Sequence, residues 1–346
     1  MTLKHNTIAN KKLTDCLPLG FEKHCPMSQK PRVLIPVAIP RKPFDDILPE
    51  FELIYPSGDA FSDDEVDHLI HDCVAFVSIF GRKVTAHTID KAPSLKIIAN
   101  YGVGYDNVDV DHARRKGIVV TNCPHPVTEP TAELALALML NVARQVSALD
   151  AALKQGRPLT WGTMHNLSST LTGKQLGIVG MGAIGKAVAR RALAFGMTVV
   201  YHNRKPMPLA DENRYHAQYL SMDELLMTSD VVSLHVPFTS ATRHLIDRDA
   251  LLKMKRSSIL INTARGAVVD EQALVDALIN GTIGGAGLDV YENEPRITPA
   301  LLQLSNVVLT PHTGSATFET REQMSEVVAH NIRALIDGLV PPNVVA

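Results

Sequence analysis

The sequence predicts an α/β fold: two domains, each a parallel sheet covered by helices on both faces, with a cleft between them. Three observations carry this expectation. After Pro31, short runs rich in valine, isoleucine and leucine alternate with helical stretches, the pattern of strands buried on both faces. A chain of 346 residues has the length of about two domains. The strand-like runs also fall into two series, separated by one long helix-forming stretch at 131–153.

Residues 1–30 carry scattered lysines and neither a two-residue nor a 3.6-residue period, so they are expected to form a disordered extension. Met27 stands just before the first strand-like run, as a start codon assigned too early would place it. The first series is VLIPVA (33–38), FELIY (51–55), AFVSI (75–79), LKIIAN (95–100) and GIVVTN (117–122). Among its connecting helices, SDDEVDHLIHD (62–72) opens with a serine cap followed by acids in the first turn. The stretch TAELALALMLNVARQVSALDAAL (131–153) opens with a threonine expected to cap it, has no glycine or proline, and is almost wholly apolar in its first half. It is expected to be one buried helix joining the lobes, or a contact between copies of the chain. The polar loop 155–170 follows on the surface. The second series is LGIVG (176–180), MTVVYH (197–202), DVVSLHV (230–236), SSILINT (257–263), GAGLDV (285–290) and NVVLT (306–310), and a helix over 318–337 closes the chain.

Composition excludes several classes of function. Apolar residues are 45% and charged residues 20%, and 34 basic against 36 acidic residues leave a net charge of −2. That balance supplies no global positive field for a nucleic-acid backbone. No apolar run approaches the roughly 20 residues of a membrane span, and the N-terminus has no continuous apolar core of a signal peptide. The four cysteines, Cys16, Cys25, Cys73 and Cys123, form no CxxC pair, and His125, His202, His235 and His312 are too dispersed for a metal motif. The expectation is a cytoplasmic protein with no nucleic-acid, membrane or metal partner.

The strongest local signal is Gly180, Gly182 and Gly185, a GxGxxG directly after a strand and opening a helix. The first glycine permits the tight turn, the second lets backbone approach a pyrophosphate, and the third lets helix and strand pack closely. Ala183 and Ile184 lie between them, at the helix start where a pyrophosphate binds. An NAD site presents an acid about 20 residues further on, for the ribose 2′-hydroxyl. Here Asn203, Arg204 and Lys205 stand after the strand instead, a neutral donor and two cations that suit a 2′-phosphate. NADPH is therefore expected to be preferred over NADH. His235, at the end of another strand, either lies beside the cofactor or caps the strand.

Three polar residues sit at strand ends in the second half: Arg265 in ILINTARGAVVDEQAL, Glu294 in LDVYENEP and His312 in LTPHTGSAT. Carboxyl ends of parallel strands converge on the ligand crevice, so these three can meet despite their separation. Arginine grips a carboxylate in bidentate fashion, histidine exchanges a proton near neutral pH, and a carboxylate beside that histidine favours its charged form.

These blocks, with IANYGVGYDNVDV (98–110), VTNCPHPVTEPTAELALALML (120–140) and SLHVPFTSATRHLI (233–246), resemble the D-isomer-specific 2-hydroxyacid dehydrogenase family over residues 31–346, nearest its glyoxylate/hydroxypyruvate reductase and 2-ketogluconate reductase branch. The resemblance implies two Rossmann-like domains with the cofactor domain inserted in the substrate domain: 31–126 and 309–346 forming one lobe and 127–308 the other. It implies Arg265 as substrate-binding arginine, His312 as acid/base, Glu294 as its carboxylate partner, and the Val103 and Gly104 N–H groups as holders of the substrate carboxylate. Thr263, Ala264, His235 and His312 are implied beside the cofactor, and Asp289 on the nicotinamide carboxamide. Ala183 replaces an arginine common in the family, and Cys123 replaces a threonine, placing a thiol near the cleft where it could confer sensitivity to oxidation. The implied function is NADPH-dependent reduction of a small 2-keto acid, glyoxylate or hydroxypyruvate, to the D-2-hydroxy acid by a homodimer. The alternatives are a reductase of a longer sugar acid such as 2-ketogluconate or of an aryl pyruvate, and, in another class, a non-enzymatic dinucleotide-sensing corepressor.

Overall fold

The computed structural model describes residues 30–345, so the expected disordered extension and the question of Met27 lie, but for Lys30, outside the described residues. Two parallel sheets form, one from each series. The first holds β1 (Arg32–Leu34), β2 (Glu52–Ile54), β3 (Cys73–Ser78), β4 (Ile97–Asn100) and β5 (Val119–Thr121) in the order β2-β1-β3-β4-β5. The second holds β6 (Gln175–Val179), β7 (Thr198–His202), β8 (Ala217–Tyr219), β9 (Val231–Leu234), β10 (Ile259–Asn262), β11 (Gly285–Leu288) and β12 (Val307–Leu309) in the order β12-β11-β10-β9-β6-β7-β8. All pairs within both sheets are parallel. The central strands β4, β9, β10 and β11 are buried at every residue, which is why they read as continuous apolar runs rather than alternating ones.

Chain direction across the second sheet reverses between β6 and β9, creating a switch point at their carboxyl ends. The glycine fingerprint follows β6 and His235 follows β9, so both open onto that crevice. The closing helix Phe318–Ile336 leaves this sheet and returns to the first lobe. There Met324, Val328, Ala329 and Ile332 pack with Val33, Phe44 and Phe51. Val345 N–H also bonds the Val120 carbonyl beside β5.

The serine-capped helix forms as expected, over Asp63–Leu69 with a complete capping box between Ser62 and Glu65. The long helix does not. It begins at Thr128, ends at Arg144, and is followed after a 65° bend by a second helix, Val146–Lys154. Gln145 takes the left-handed conformation at the break (φ 55°), and Asn141 Oδ1 accepts from Ser147 N–H to start the new direction. The first helix is buried through Ala132, Ala135, Leu136, Leu138 and Met139 against Leu176, Ile178 and Val188, whereas Val146 and Leu153 of the second are exposed. Thr131 is therefore not a cap but an interior residue, and its hydroxyl donates to the Gly314 carbonyl at 3.1 Å. No single helix among the described residues is long and apolar enough to cross a membrane.

Candidate active site

The cleft between the lobes is built from loops at strand ends. After β4, the loop Tyr101–Gly104 has each of its outer carbonyls tied back by an asparagine. Asn100 Nδ2 donates to the Gly102 and Gly104 oxygens at 3.0 and 2.8 Å, and Asn122 Nδ2 donates to the Val103 oxygen at 2.9 Å. With its carbonyls held inward, the loop leaves the Val103 and Gly104 N–H groups without a protein acceptor among the described residues. Two successive free N–H groups are the kind of donors an anion can bind. A second asparagine-based brace connects this loop to the one after β3. Asn107 Nδ2 donates to Ser78 Oγ and to the carbonyls of Ile79 and Arg82, and Ser78 Oγ donates to Asn100 Oδ1 at 3.0 Å.

Arg265 follows β10 on the opposite lobe. Its turn is clamped by the Asn262 side chain, which donates to the Arg265 carbonyl (2.9 Å) and accepts from Ala264 N–H (3.0 Å). The guanidinium reaches over Gly104, whose Cα leaves just the room it needs: a Cβ there would overlap Nη2 and stand 2.7 Å from Cζ. The substrate-carboxylate candidates on the two lobes are thus in direct contact.

His312 and Glu294 meet as well, with His312 Nδ1 and Glu294 Oε2 2.8 Å apart, while Glu294 Oε1 accepts from Tyr291 N–H at 3.0 Å. Burial pushes the Glu294 carboxyl up, but the His312 hydrogen bond and charge, the Tyr291 N–H and the charge of Arg265 outweigh it and hold the carboxyl below the usual range. With Nδ1 engaged, Nε2 is the ring nitrogen left to exchange a proton with a ligand. His312 sits in the left-handed region (φ 54°), a conformation that costs a non-glycine residue on the order of 1–3 kcal/mol. Asp289 holds it there. The Asp289 carbonyl accepts from His312 N–H (2.8 Å), and its buried carboxylate accepts from Thr310 Oγ1 (2.6 Å), Thr313 N–H (2.7 Å), Thr313 Oγ1 (3.2 Å) and Gly314 N–H (2.8 Å). Both Asp289 carboxylate oxygens thus accept from the histidine loop, Oδ2 from a single N–H. From the loop after β3, Phe80 stacks on the imidazole with centroids 4.3 Å apart and planes 26° apart.

The dinucleotide elements surround the switch point. Gly180 takes φ 99°, and its backbone packs so close to His235 that a Cβ would lie 2.7 Å from the His235 carbonyl carbon. Gly182 is the N-cap of the helix Ala183–Ala194 and has open space where its side chain would be, so Ala183 and Ile184 present first-turn N–H groups with no side chain capping them. Gly185 packs directly on the Gly180 carbonyl. Asn203 has a second task that its sequence position did not reveal: its Oδ1 accepts from Met181 N–H at 2.7 Å and so shapes the glycine loop. Arg204 and Lys205 are exposed and have no carboxylate partner among the described residues, the nearby Asp211 being paired with Lys186 at 2.8 Å. His235 Nε2 pairs with Ser233 Oγ at 2.9 Å, and burial pushes the imidazole down to about 4, so it is neutral. Its Nδ1 and the Thr263 hydroxyl are buried polar atoms without a protein partner among the described residues. Such orphans, just beyond the ends of the paired strands β9 and β10, fit a polar ligand that completes their hydrogen bonding.

Cys123 does not behave as expected. It is fully buried, and burial pushes its thiol up to about 12, so almost no thiolate forms and oxidation sensitivity does not follow. Sequence reasoning also missed Asp106, Asn100, Asn107 and Asn122, whereas Phe80 lies in the 79–82 loop expected to wall the cleft. The asparagines carried a signal, since they recur at or just beyond the ends of strand-like runs.

Residues 136–314 match the family described as D-isomer specific 2-hydroxyacid dehydrogenase, NAD binding domain. The chain is 48% identical over 280 residues to a glyoxylate reductase of Thermococcus litoralis, covering 80% of this chain and 84% of the relative. Its fold superposes on the crystal structure of a Thermus thermophilus protein with TM-score 0.85 and 45% identity, over 91% of this chain and all of the other. It also superposes on an NADPH-dependent glyoxylate/hydroxypyruvate reductase from Sinorhizobium meliloti in complex with NADP and malonate, with TM-score 0.78 and 36% identity, over 92% and 97% of the two chains. Shared sequence and fold on this scale, together with an Arg-Glu-His cleft beside a dinucleotide crevice, mean that the chain belongs to the D-isomer-specific 2-hydroxyacid dehydrogenase family of NAD(P)-dependent oxidoreductases.

Proposed function

We propose that this enzyme reduces glyoxylate or hydroxypyruvate to the D-2-hydroxy acid, with NADPH preferred over NADH. The observation that carries the reading is the juxtaposition, in one cleft, of a carboxylate grip (Arg265 with the free Val103 and Gly104 N–H groups) and a proton-transfer pair (His312 with Glu294 at 2.8 Å). The orphaned His235 Nδ1 and Thr263 Oγ1, with the first-turn N–H groups at Ala183 and Ile184, fit a dinucleotide at the switch point. When bound, the reduced nicotinamide supplies a hydride to the keto carbon. Arg265 and the Val103–Gly104 loop hold the substrate carboxylate and so orient that carbon, which supplies much of the rate. His312 Nε2 delivers the proton to the developing alkoxide, and Glu294 orients the ring and stabilises its charged form. Arg265 also stabilises negative charge growing on the substrate oxygen.

The size of the substrate follows from Phe80. Its ring covers one face of the His312 imidazole beside the reacting group, which supports a two- or three-carbon acid over an aryl pyruvate or sugar acid. The cofactor preference rests on the unpaired Arg204 and Lys205. A hydrogen bond to a charged group contributes about 1.5–3 kcal/mol, so Arg204 sets a preference of roughly 10- to 100-fold. A homodimer in the cytoplasm completes the reading. It draws on Val146, Leu153, Trp161, Met164 and Leu167, exposed on the second helix and the following loop, which a second copy would cover.

A panel of 2-keto acids with NADPH and NADH, followed at the reduced-nicotinamide absorbance, tests the proposal. Glyoxylate and hydroxypyruvate should exceed phenylpyruvate and 2-ketogluconate in kcat/KM, and Arg204→Ala should raise KM for NADPH far more than KM for NADH. Equal or better kcat/KM with NADH in the unmodified enzyme would sink the cofactor assignment.

A further inference from the structure

Among the described residues, Asp106 is the one side chain of the first lobe that binds the Arg265 guanidinium, with its Oδ1 accepting from Arg265 Nε at 2.9 Å across 159 residues of sequence. The second anchor, Nη1 to the Ala264 carbonyl at 2.8 Å, comes from the residue next door. Together they fix the plane of the guanidinium, and they leave Nη2 free above Gly104, beside the unpartnered N–H groups of the carboxylate loop. An arginine held only by its neighbour's carbonyl retains rotation about its terminal bonds; an arginine held at Nε as well does not.

Asp106 is itself immobilised. The next residue, Asn107, makes three side-chain hydrogen bonds into the loop after β3, and the Asn107 carbonyl accepts from Val84 N–H at 2.8 Å. On the other side, Asn100 closes on the Gly104 carbonyl. The carboxylate at 106 is thus carried on a braced loop, while Arg265 lies on the lobe that holds the cofactor crevice. Partly exposed ion pairs contribute little to stability, so this pair does not explain how the fold is held together. It also places a negative charge near a site for a carboxylate, which opposes binding unless the geometry gained outweighs the repulsion.

We propose that Asp106 is a positioning residue that orients Arg265 across the cleft, so that the carboxylate grip is complete only when the two lobes are together. The proposal rests on the reading of Arg265 as the substrate-carboxylate ligand.

The test compares Asp106→Ala and Asp106→Asn by steady-state kinetics with glyoxylate, by inhibition constants and calorimetric affinity for oxalate as a non-reacting probe, and by melting temperature. Asp106→Ala should lower kcat/KM by about 10- to 100-fold, the scale of a displacement near 1 Å, and weaken oxalate similarly, with NADPH affinity and melting temperature unchanged. Asp106→Asn keeps an acceptor oxygen for Nε and should recover kcat/KM to within about threefold of the unmodified enzyme, the tolerance for swapping a charged for a neutral acceptor. In an Arg265→Lys background there is no guanidinium to orient, so Asp106→Ala should add no further loss. A kcat/KM unchanged in Asp106→Ala, a loss that persists in the Arg265→Lys background, or a fall in melting temperature that Asn does not rescue would each overturn the positioning role. If instead Arg265→Lys itself leaves kcat/KM and oxalate binding intact, the underlying assignment of Arg265 fails, and the Asp106 proposal with it.

Discussion

Gly104→Ala separates the carboxylate grip from the stability of the fold. Gly104 does not need glycine for its backbone angles; it needs it because the Arg265 guanidinium lies against its Cα. An alanine Cβ would overlap Nη2, lie 2.7 Å from Cζ and lie 3.1 Å from Asp106 Oδ1, where ordinary contacts begin at 3.4 Å. The guanidinium must retreat by about 1 Å or more, and such a displacement of a positioning group costs on the order of 100-fold in rate. The atoms displaced are the end of a flexible, partly exposed side chain rather than core or backbone, so the fold itself should be indifferent. The expected result is a kcat/KM for glyoxylate about 100-fold lower, chiefly through KM, with NADPH affinity by fluorescence titration and the melting temperature both unchanged. Retention of near-normal kcat/KM would refute the placement of the substrate carboxylate between Arg265 and this loop. A large drop in melting temperature would refute the claim that the contact is purely functional.

Three further outcomes follow from the same geometry, and a fourth from the packing of the thiols. His312→Ala should lose about 10²–10⁴-fold in kcat with cofactor affinity retained, as expected for removal of a general acid. Glu294→Ala should lower kcat, because His312 Nδ1 loses the acceptor that orients the ring; an unchanged kcat removes Glu294 from that role. The Glu294 carboxyl is held low in the folded protein, so its contribution to stability is complete at neutral pH and is lost only as pH falls through the depressed value, which a thermal-melt series in acid will register. Asn203→Asp should reverse the cofactor preference, since an aspartate can keep the 2.7 Å bond to Met181 N–H while placing a negative charge where a 2′-phosphate would lie; relative kcat/KM for NADH and NADPH reads this directly. Cys73 and Cys123 should both resist a thiol reagent in the native enzyme, burial having pushed them up to about 11 and about 12, and modification of either without unfolding would contradict their packing.

Sequence alone determined the features whose causes are local. The two strand series, the serine cap at Ser62, the fingerprint at Gly180–Gly185 and the strand-end positions of Arg265 and His312 all come from interactions within a turn, a strand or a strand–turn–helix unit, and a one-dimensional pattern records those. The stretch 131–153 shows the limit of such patterns. Its composition is helical throughout, yet the apolar face that packs on the second sheet stops near Arg144, and the chain bends at Gln145 where burial no longer constrains its direction. What only tertiary structure decided is how each functional group is held. Thr131 bonds the histidine loop rather than capping a helix, Asp289 accepts from that same loop, Asn203 braces the glycine turn, Phe80 stacks on His312 from the loop after β3, and Asp106 reaches Arg265 from the other lobe. These partners are joined by closure of the cleft and by hydrogen bonds spanning up to 183 residues. No periodicity encodes such contacts, because side chains so far apart in the chain meet only after both sheets have formed and packed.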